Sequence, residues 1–420
     1  YYPKTIAVGV GCERGTDPEE LISLVRNTLK KNKIAPESVA AVVSIDLKSD
    51  EPAIHALAEK LTDKPGESSP VRFFDAAALE EQTPKLQNPS KTVFKEVGCH
   101  GVAEGAALAA AGKSGKLVIP KTKSKRATCA VAESAELIDP QKTGKSQGTL
   151  FIVGTGPGSP KWRLPEAEEM LRNSNDWVGY GLYLDLIADL YKNQFGKEQR
   201  RLHRFELGQE EKRVRHALNL AAQGKTVALI SSGDPGIYAM ATLVFEMLER
   251  TDAEPDQHSE WRRIRVVSTP GITAMQAAGA LAGAPLGHDF CSISLSDLLT
   301  PWDTIKRRII AAAKSDFVIA FYNPVSSKRI NQLYEAQKIL LKHRSPDTPV
   351  IMAHNLGRNG ERVNFVTLFN MDPSEADMLT VIIVGSSQSK KIQLPNGVVR
   401  VYTPRGYHKK QETEKTLPVC

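Results

Sequence analysis

Three apolar runs in this chain each stop at a glycine- and proline-rich loop and restart as a helical pattern. That repeated juxtaposition restricts the fold more than any other feature. Thr149–Val153 leads into Gly154-Thr155-Gly156-Pro157-Gly158-Ser159-Pro160, Thr226–Ser231 into Ser232-Gly233-Asp234-Pro235-Gly236, and Arg265–Ser268 into Thr269-Pro270-Gly271-Ile272-Thr273. Glycine permits close backbone approach, and Asp-Pro-Gly is turn chemistry that precedes a helix start. Strand–loop–helix units in series build a parallel α/β sheet, whose ligands sit outside the carboxyl ends of the strands. The first loop is not a phosphate-binding loop, because no Gly-Lys-Ser/Thr follows. Nor is it the dinucleotide fingerprint, since Ser159 holds the third glycine position and Pro157 interrupts it. With Lys and Arg absent from all three cores, the loops suit a nucleoside-like ligand held by backbone groups.

Between Glu133 and Thr149 the apolar periodicity gives way to Pro, Lys, Gly, Ser and Gln, the composition of a surface linker. The expected organisation is an α/β domain over 1–135, a linker over 136–147, two subdomains over 148–290 and 291–408, and a tail over 409–420. In the first domain, strands at Thr5–Val10, Val39–Ile45, Arg72–Phe74, Leu117–Ile119 and Thr128–Ala132 alternate with helices. One opens on the capping box Thr16-Asp17-Pro18-Glu19, and others fall near Ala53–Leu61 and Val102–Ala111. Alternation of this kind predicts a largely parallel sheet. Further along, Pro349–Ala353, Phe365–Leu368 and Leu379–Val384 lie too close together for helical crossovers. The parallel sheet is therefore expected to give way after about Ser292 to a mixed or antiparallel one, with a cleft between.

Apolar residues make up 41% and charged residues 25% of 420, which fits a globular chain and excludes disorder. The net charge of +7 invites a nucleic-acid partner, but it divides into +2 before Gly148 and +5 after it. The clusters Lys121-Thr-Lys123-Ser-Lys125-Arg126 and Lys409-Lys410 lack interleaved aromatics, so no nucleic-acid partner is expected. No apolar run reaches the roughly 20 residues of a membrane span, and the N-terminal YYPKTIAVGVGCERG has no signal-peptide pattern. Cys12, Cys99, Cys129, Cys291 and Cys420 are scattered without a Cys-x-x-Cys pair, which points to a reducing cytoplasm and to no metal site.

The set GTGPGSP, SSGDPGIYAMA, TPGITAMQAAGALAGAPLGHDF, SISLSDLLTPW, FYNPVSSKR, HNLGR and TPRGY, over about Gly148–Tyr407, resembles the tetrapyrrole methylases. Within them it is similar to the branch that acts on carbon 17 of precorrin-3B, or of cobalt-factor III, with ring contraction. The resemblance implies S-adenosylmethionine as methyl donor, a polycarboxylate tetrapyrrole substrate in cobalamin biosynthesis, and a homodimer. It is weaker for siroheme, diphthamide or ribosomal-RNA methylases of the same superfamily. Carried over, Pro157 lines the donor pocket; Ser232, Gly233, Asp234 and Ile237 hold its methionine portion; Thr273 and Ala274 lie beneath it. Tyr322-Asn323 and Asn355-Leu356 border adenine.

A base for the ring contraction is sought among Tyr180, Asp297, Ser294 and His288, and carboxylate steering among Lys328, Arg329, Arg358 and Arg405. Before the linker, GVGCERGT, Ser44–Lys48, the Glu96–Glu104 segment and Thr128–Ala132 resemble the C-terminal domain of the CbiG family and the small CobE family. Cys12, Asp46, Lys48 and Glu104 are the candidate polar residues there.

Overall fold

The computed structural model describes residues 2–61, 68–190, 200–250, 260–326 and 329–407. Lys328, the Lys409-Lys410 pair, Cys420 and the tail lie outside them. Strands β1 (Ile6–Cys12), β2 (Val39–Ile45), β3 (Val71–Phe74), β4 (Lys116–Lys123) and β5 (Ala127–Glu133) form one sheet in the order β3-β2-β1-β5-β4. β2 is buried along its whole length, apolar except for Ser44, whose hydroxyl donates to the Val10 carbonyl at 2.7 Å. The sheet is mixed rather than largely parallel: β5 runs antiparallel to β1, and β4 antiparallel to β5. Ser124-Lys125-Arg126 between β4 and β5 is far too short for a crossover, so those strands form a hairpin.

The second sheet, β10-β6-β9-β7-β8, contains β6 (Thr149–Gly154), β7 (Asp176–Tyr180), β8 (Arg201–Phe205), β9 (Thr226–Ser231) and β10 (Arg265–Thr269), every pair parallel. β8 escapes a hydropathy reading because RLHRF is a mostly polar edge strand. Eight strands follow: β11 (Gly283–Ala284), β12 (Phe290–Ser294), β13 (Val318–Tyr322), β14 (Pro349–His354), β15 (Arg362–Thr367), β16 (Thr380–Val384), β17 (Lys390–Gln393) and β18 (Val399–Tyr402). Five of them form the order β12-β13-β16-β14-β15, parallel only between β12 and β13, which is the mixed sheet expected after Ser292. β11, β18 and β17 make a small separate sheet.

The segment expected as a surface linker is pinned on both sides. Phe73 and Lys145 exchange two backbone hydrogen bonds of 2.7 Å, and Arg72 donates to the Thr143 and Gly144 carbonyls. Ser146 Oγ donates to the Gly224 carbonyl at 2.7 Å. β3 is an edge strand whose free backbone groups need partners, and residues 143–145 supply them. No helix among the described residues is long and apolar enough to cross a membrane.

Candidate active site

β10, β6 and β9 are neighbours and point the same way, so their carboxyl ends bring the three glycine loops to one rim. Gly156 and Gly233 exchange backbone hydrogen bonds of 3.3 and 2.8 Å, both in the left-handed region. Thr155 donates from its amide and its hydroxyl to the Ser231 carbonyl, each at 3.0 Å. Asp234 uses both carboxylate oxygens on backbone: Oδ1 accepts from the Gly236 amide at 2.7 Å and Oδ2 from the Gly271 amide at 3.0 Å. A Cβ on Gly271 would stand 2.0 Å from the Gly233 carbonyl oxygen, so only glycine allows the second and third loops to touch. The rim is thus backbone locked to backbone, which fixes the donors and acceptors it presents.

The third loop runs into the helix Ala274–Ala282, capped by Thr273 and Gln276 in a reciprocal box. Tyr322, at the end of β13, reaches this cap from the other sheet: its hydroxyl lies 2.5 Å from Thr273 Oγ1 and accepts from the Met275 amide at 3.0 Å. Tyr238 follows the second loop in the left-handed region, unusual for a bulky side chain, with its ring 5.2 Å from that of Tyr322. Behind them, Asn323 Nδ2 donates to Ser294 Oγ at 3.0 Å. Arg329 donates to Ser296 Oγ and the Asn323 carbonyl, and Gln332 donates to Asp297 Oδ2 at 2.9 Å.

The loop after β14 closes the rim from a third side. Asn355 and Gly357 are left-handed, and Arg358 donates from Nε to the Pro157 carbonyl at 2.8 Å and from Nη2 to Ser232 Oγ at 3.1 Å. Tyr183, on the helix Gly181–Leu186 that follows β7, packs edge-on to Tyr180 at 5.2 Å. Burial pushes the Tyr183 phenol up, with Arg358 and Arg213 close enough for their charges to oppose that rise.

The structure gathers Pro157, Ser232, Gly233, Asp234, Thr273, Ala274 and Asn323 around one rim, with Ile237 partly exposed beside it. Leu356 is buried in the core under the rim, so only its backbone is available there. Among the sought bases, Ser294 and Asp297 lie at the cleft end of β12, already hydrogen-bonded, and Tyr180 at the cleft end of β7. His288 precedes the first residue of β12, whereas Ser294 is its last, so an extended strand separates them. The steering expectation for Arg329 is corrected, since it is buried and tied to Ser296 and Asn323; Arg405 is exposed. Tyr183 and Arg213 escaped the sequence reading, because nothing in their local pattern announces that the fold brings Arg358 to them.

In the first sheet's unit, Glu104 acts as a structural clamp. Its buried carboxylate accepts from the Gln87, Asn88 and Lys121 amides and from Asn88 Nδ2, all within 2.8–3.0 Å. Cys12, at the end of β1, has its thiol pushed up to about 11 by burial and by nearby Glu51, which makes it a poor nucleophile. Asp46 begins a short helical turn with Lys48, and burial raises its carboxyl. Among the described residues no group of three metal-ligating side chains is gathered.

Two family models match the chain. Residues 149–372 match the Tetrapyrrole (Corrin/Porphyrin) Methylases and residues 6–132 match Cobalamin synthesis G C-terminus. A precorrin-3B C(17)-methyltransferase of a Sinorhizobium species is 42% identical over 62% of this chain and 97% of that relative. A cobalt-factor III methyltransferase of Priestia megaterium is 42% identical over 64% of this chain, which spans about half of that longer relative, 47%. The solved methyltransferase CobJ aligns over 61% of this chain and 100% of its own, at 37% identity and a TM-score of 0.54.

Proposed function

The chain belongs to the tetrapyrrole (corrin/porphyrin) methylases, and from that premise we propose that it methylates carbon 17 of precorrin-3B, with ring contraction to precorrin-4, in cobalamin biosynthesis. The observation that carries this reading is the rim of three interlocked glycine loops facing the Tyr322–Ser294 end of the mixed sheet. S-adenosylmethionine supplies an electrophilic methyl group when bound. The rim fits such a donor: its backbones touch where a Cβ on Gly271 or Gly154 would collide, leaving backbone groups and small side chains to meet a nucleoside. Pro157, Ser232, Gly233, Asp234, Ile237, Thr273, Ala274, Asn323 and Leu356 are the proposed holding residues.

Carbon alkylation by an electron-rich pyrrole carbon asks for alignment and exclusion of water more than for a strong base. The rigid loops align, and Tyr238 and Tyr322 present aromatic surface beside them. Tyr180, Asp297, Ser294 and His288 are the candidates for moving a proton during contraction. The net charge of +7 favours a polycarboxylate pigment by long-range attraction. A homodimer, a cytoplasmic setting and the absence of a nucleic-acid partner complete the proposal; the four described cysteines are all free thiols, as a reducing compartment allows.

A second reading, the same reaction on cobalt-factor III, is favoured by the equal 42% identity to the relative of that name. Incubation with S-adenosylmethionine and each pigment, followed by mass spectrometry, tests both. A gain of one methyl group on either supports the proposal, and no gain on both overturns it.

A further inference from the structure

Arg358 bridges two bodies of the molecule and still has an N–H unused. Its Nε is taken by the Pro157 carbonyl and its Nη2 by Ser232 Oγ, while Nη1 is buried and has no hydrogen-bond partner among the described residues. A buried guanidinium N–H without an acceptor is costly, and its usual remedy is an anion. No carboxylate of the chain forms an ion pair with Arg358 among the described residues, whereas Arg163 nearby has both Glu168 and Asp189. Arg213 is also almost fully buried; its Nη2 donates to the Glu206 carbonyl and its Nε has no partner. Both cations act electrostatically on the Tyr183 phenol, whose ring packs edge-on to that of Tyr180. Gly158 and Gly357 hold the loops close: a Cβ at Gly158 would stand 2.6 Å from Arg358 Cγ, and one at Gly357 2.6 Å from the Ser159 amide nitrogen.

Resting on the methylase reading above, we propose that Arg358 receives one carboxylate in a recess at the edge of the rim, between the first loop and the loop after β14, with Nη1 as its donor. The pairing is charge-assisted and neutralises a cation buried between the two sheets. Because the same guanidinium also holds Pro157 and Ser232, occupancy of the recess tightens the first two loops on the donor pocket. Two ligands of the proposed reaction carry a carboxylate, the amino-acid end of the methyl donor and the side chains of the pigment.

The test measures binding of three probes, S-adenosylhomocysteine, 5′-methylthioadenosine (which lacks the amino-acid carboxylate) and precorrin-3B, to the full chain and to its Arg358→Met and Arg358→Lys variants. If the recess takes the donor's carboxylate, Arg358→Met weakens S-adenosylhomocysteine about 10- to 100-fold more than 5′-methylthioadenosine, whose loss reports only the freeing of Pro157 and Ser232. If it takes the pigment's carboxylate, both nucleosides weaken equally and precorrin-3B weakens by that factor more. In either case Arg358→Lys, which keeps the charge but not the fork, recovers part of the loss. Equal weakening of all three probes, or no change in any of them, overturns the recess. Wild-type protein that binds none of the three overturns the methylase reading and the recess with it, whereas wild-type binding with an unresponsive variant overturns the recess alone.

Discussion

The hydroxyl of Tyr322 lies 2.5 Å from Thr273 Oγ1, joining the last turn of β13 to the cap of the helix Ala274–Ala282 and so tying the mixed sheet to the parallel one. The Met275 amide donates to the same oxygen at 3.0 Å. Tyr322→Phe keeps the ring and removes both bonds, leaving a buried amide and a buried hydroxyl short of a partner. The expected cost is about 1–3 kcal/mol, read from denaturant unfolding. An unchanged midpoint would show that the contact does not hold the two sheets together.

Gly271→Ala is expected to separate the second and third loops, because the added carbon would meet the Gly233 carbonyl oxygen at 2.0 Å. Overpacking against backbone costs about 1–3 kcal/mol, and the displaced rim should lose affinity for S-adenosylhomocysteine by more than tenfold. Gly181→Ala is the control: the nearest atom to its added carbon is Arg204 Nη1 at 3.6 Å, an ordinary contact, so binding and stability stay near wild type. Equal behaviour of the two variants in calorimetry would refute the packing role given to Gly271.

Glu104→Gln replaces a carboxylate that accepts four hydrogen bonds with an amide that turns two N–H groups toward the same donors. A loss of about 1–3 kcal/mol at neutral pH is expected. Burial alone raises this carboxyl, but the Lys121, Asn88 and Gln87 donors outweigh it and hold it below its ordinary value of 4.5. A carboxyl that titrates lower folded than unfolded stabilises the fold above its unfolded pKa, and that contribution disappears as pH falls through the folded value. The wild-type chain should therefore lose more stability between neutrality and acid than the Gln variant. Parallel acid-unfolding curves would contradict this.

Cys12 should resist alkylation. With its thiol pushed up to about 11, only about a thousandth of it is thiolate at pH 8. Iodoacetamide labelling followed by peptide mass spectrometry should find Cys12 reacting far more slowly than free cysteine, and labelling at the free-cysteine rate would contradict this raised thiol.

The three loops were legible because their chemistry is local: a buried strand, glycines and Asp-Pro-Gly leave a mark within twelve residues. The mixed sheet after Ser292 was legible from loop length, since Pro349–Leu368 leaves no room for a helix. The β4–β5 hairpin was missed although Ser124–Arg126 is equally short, because alternation earlier in that unit was extended too far. Arg358 reaches Pro157 across 201 residues of sequence, and Arg213 and Tyr183 join it only through the tertiary fold, so no window on the chain contains their relationship. His288 and Ser294 show the converse. They are near in sequence, but the extended strand β12 runs between them and keeps them apart.

Transfer of a labelled methyl group tests the central claim most directly. The protein is incubated with S-adenosylmethionine carrying 13C in the methyl group and with precorrin-3B or cobalt-factor III, and the product is read by carbon NMR. The account predicts one new carbon–carbon bond, with the label on carbon 17 of a contracted macrocycle. Label on nitrogen, oxygen or another ring carbon, or no transfer to either pigment, would contradict it.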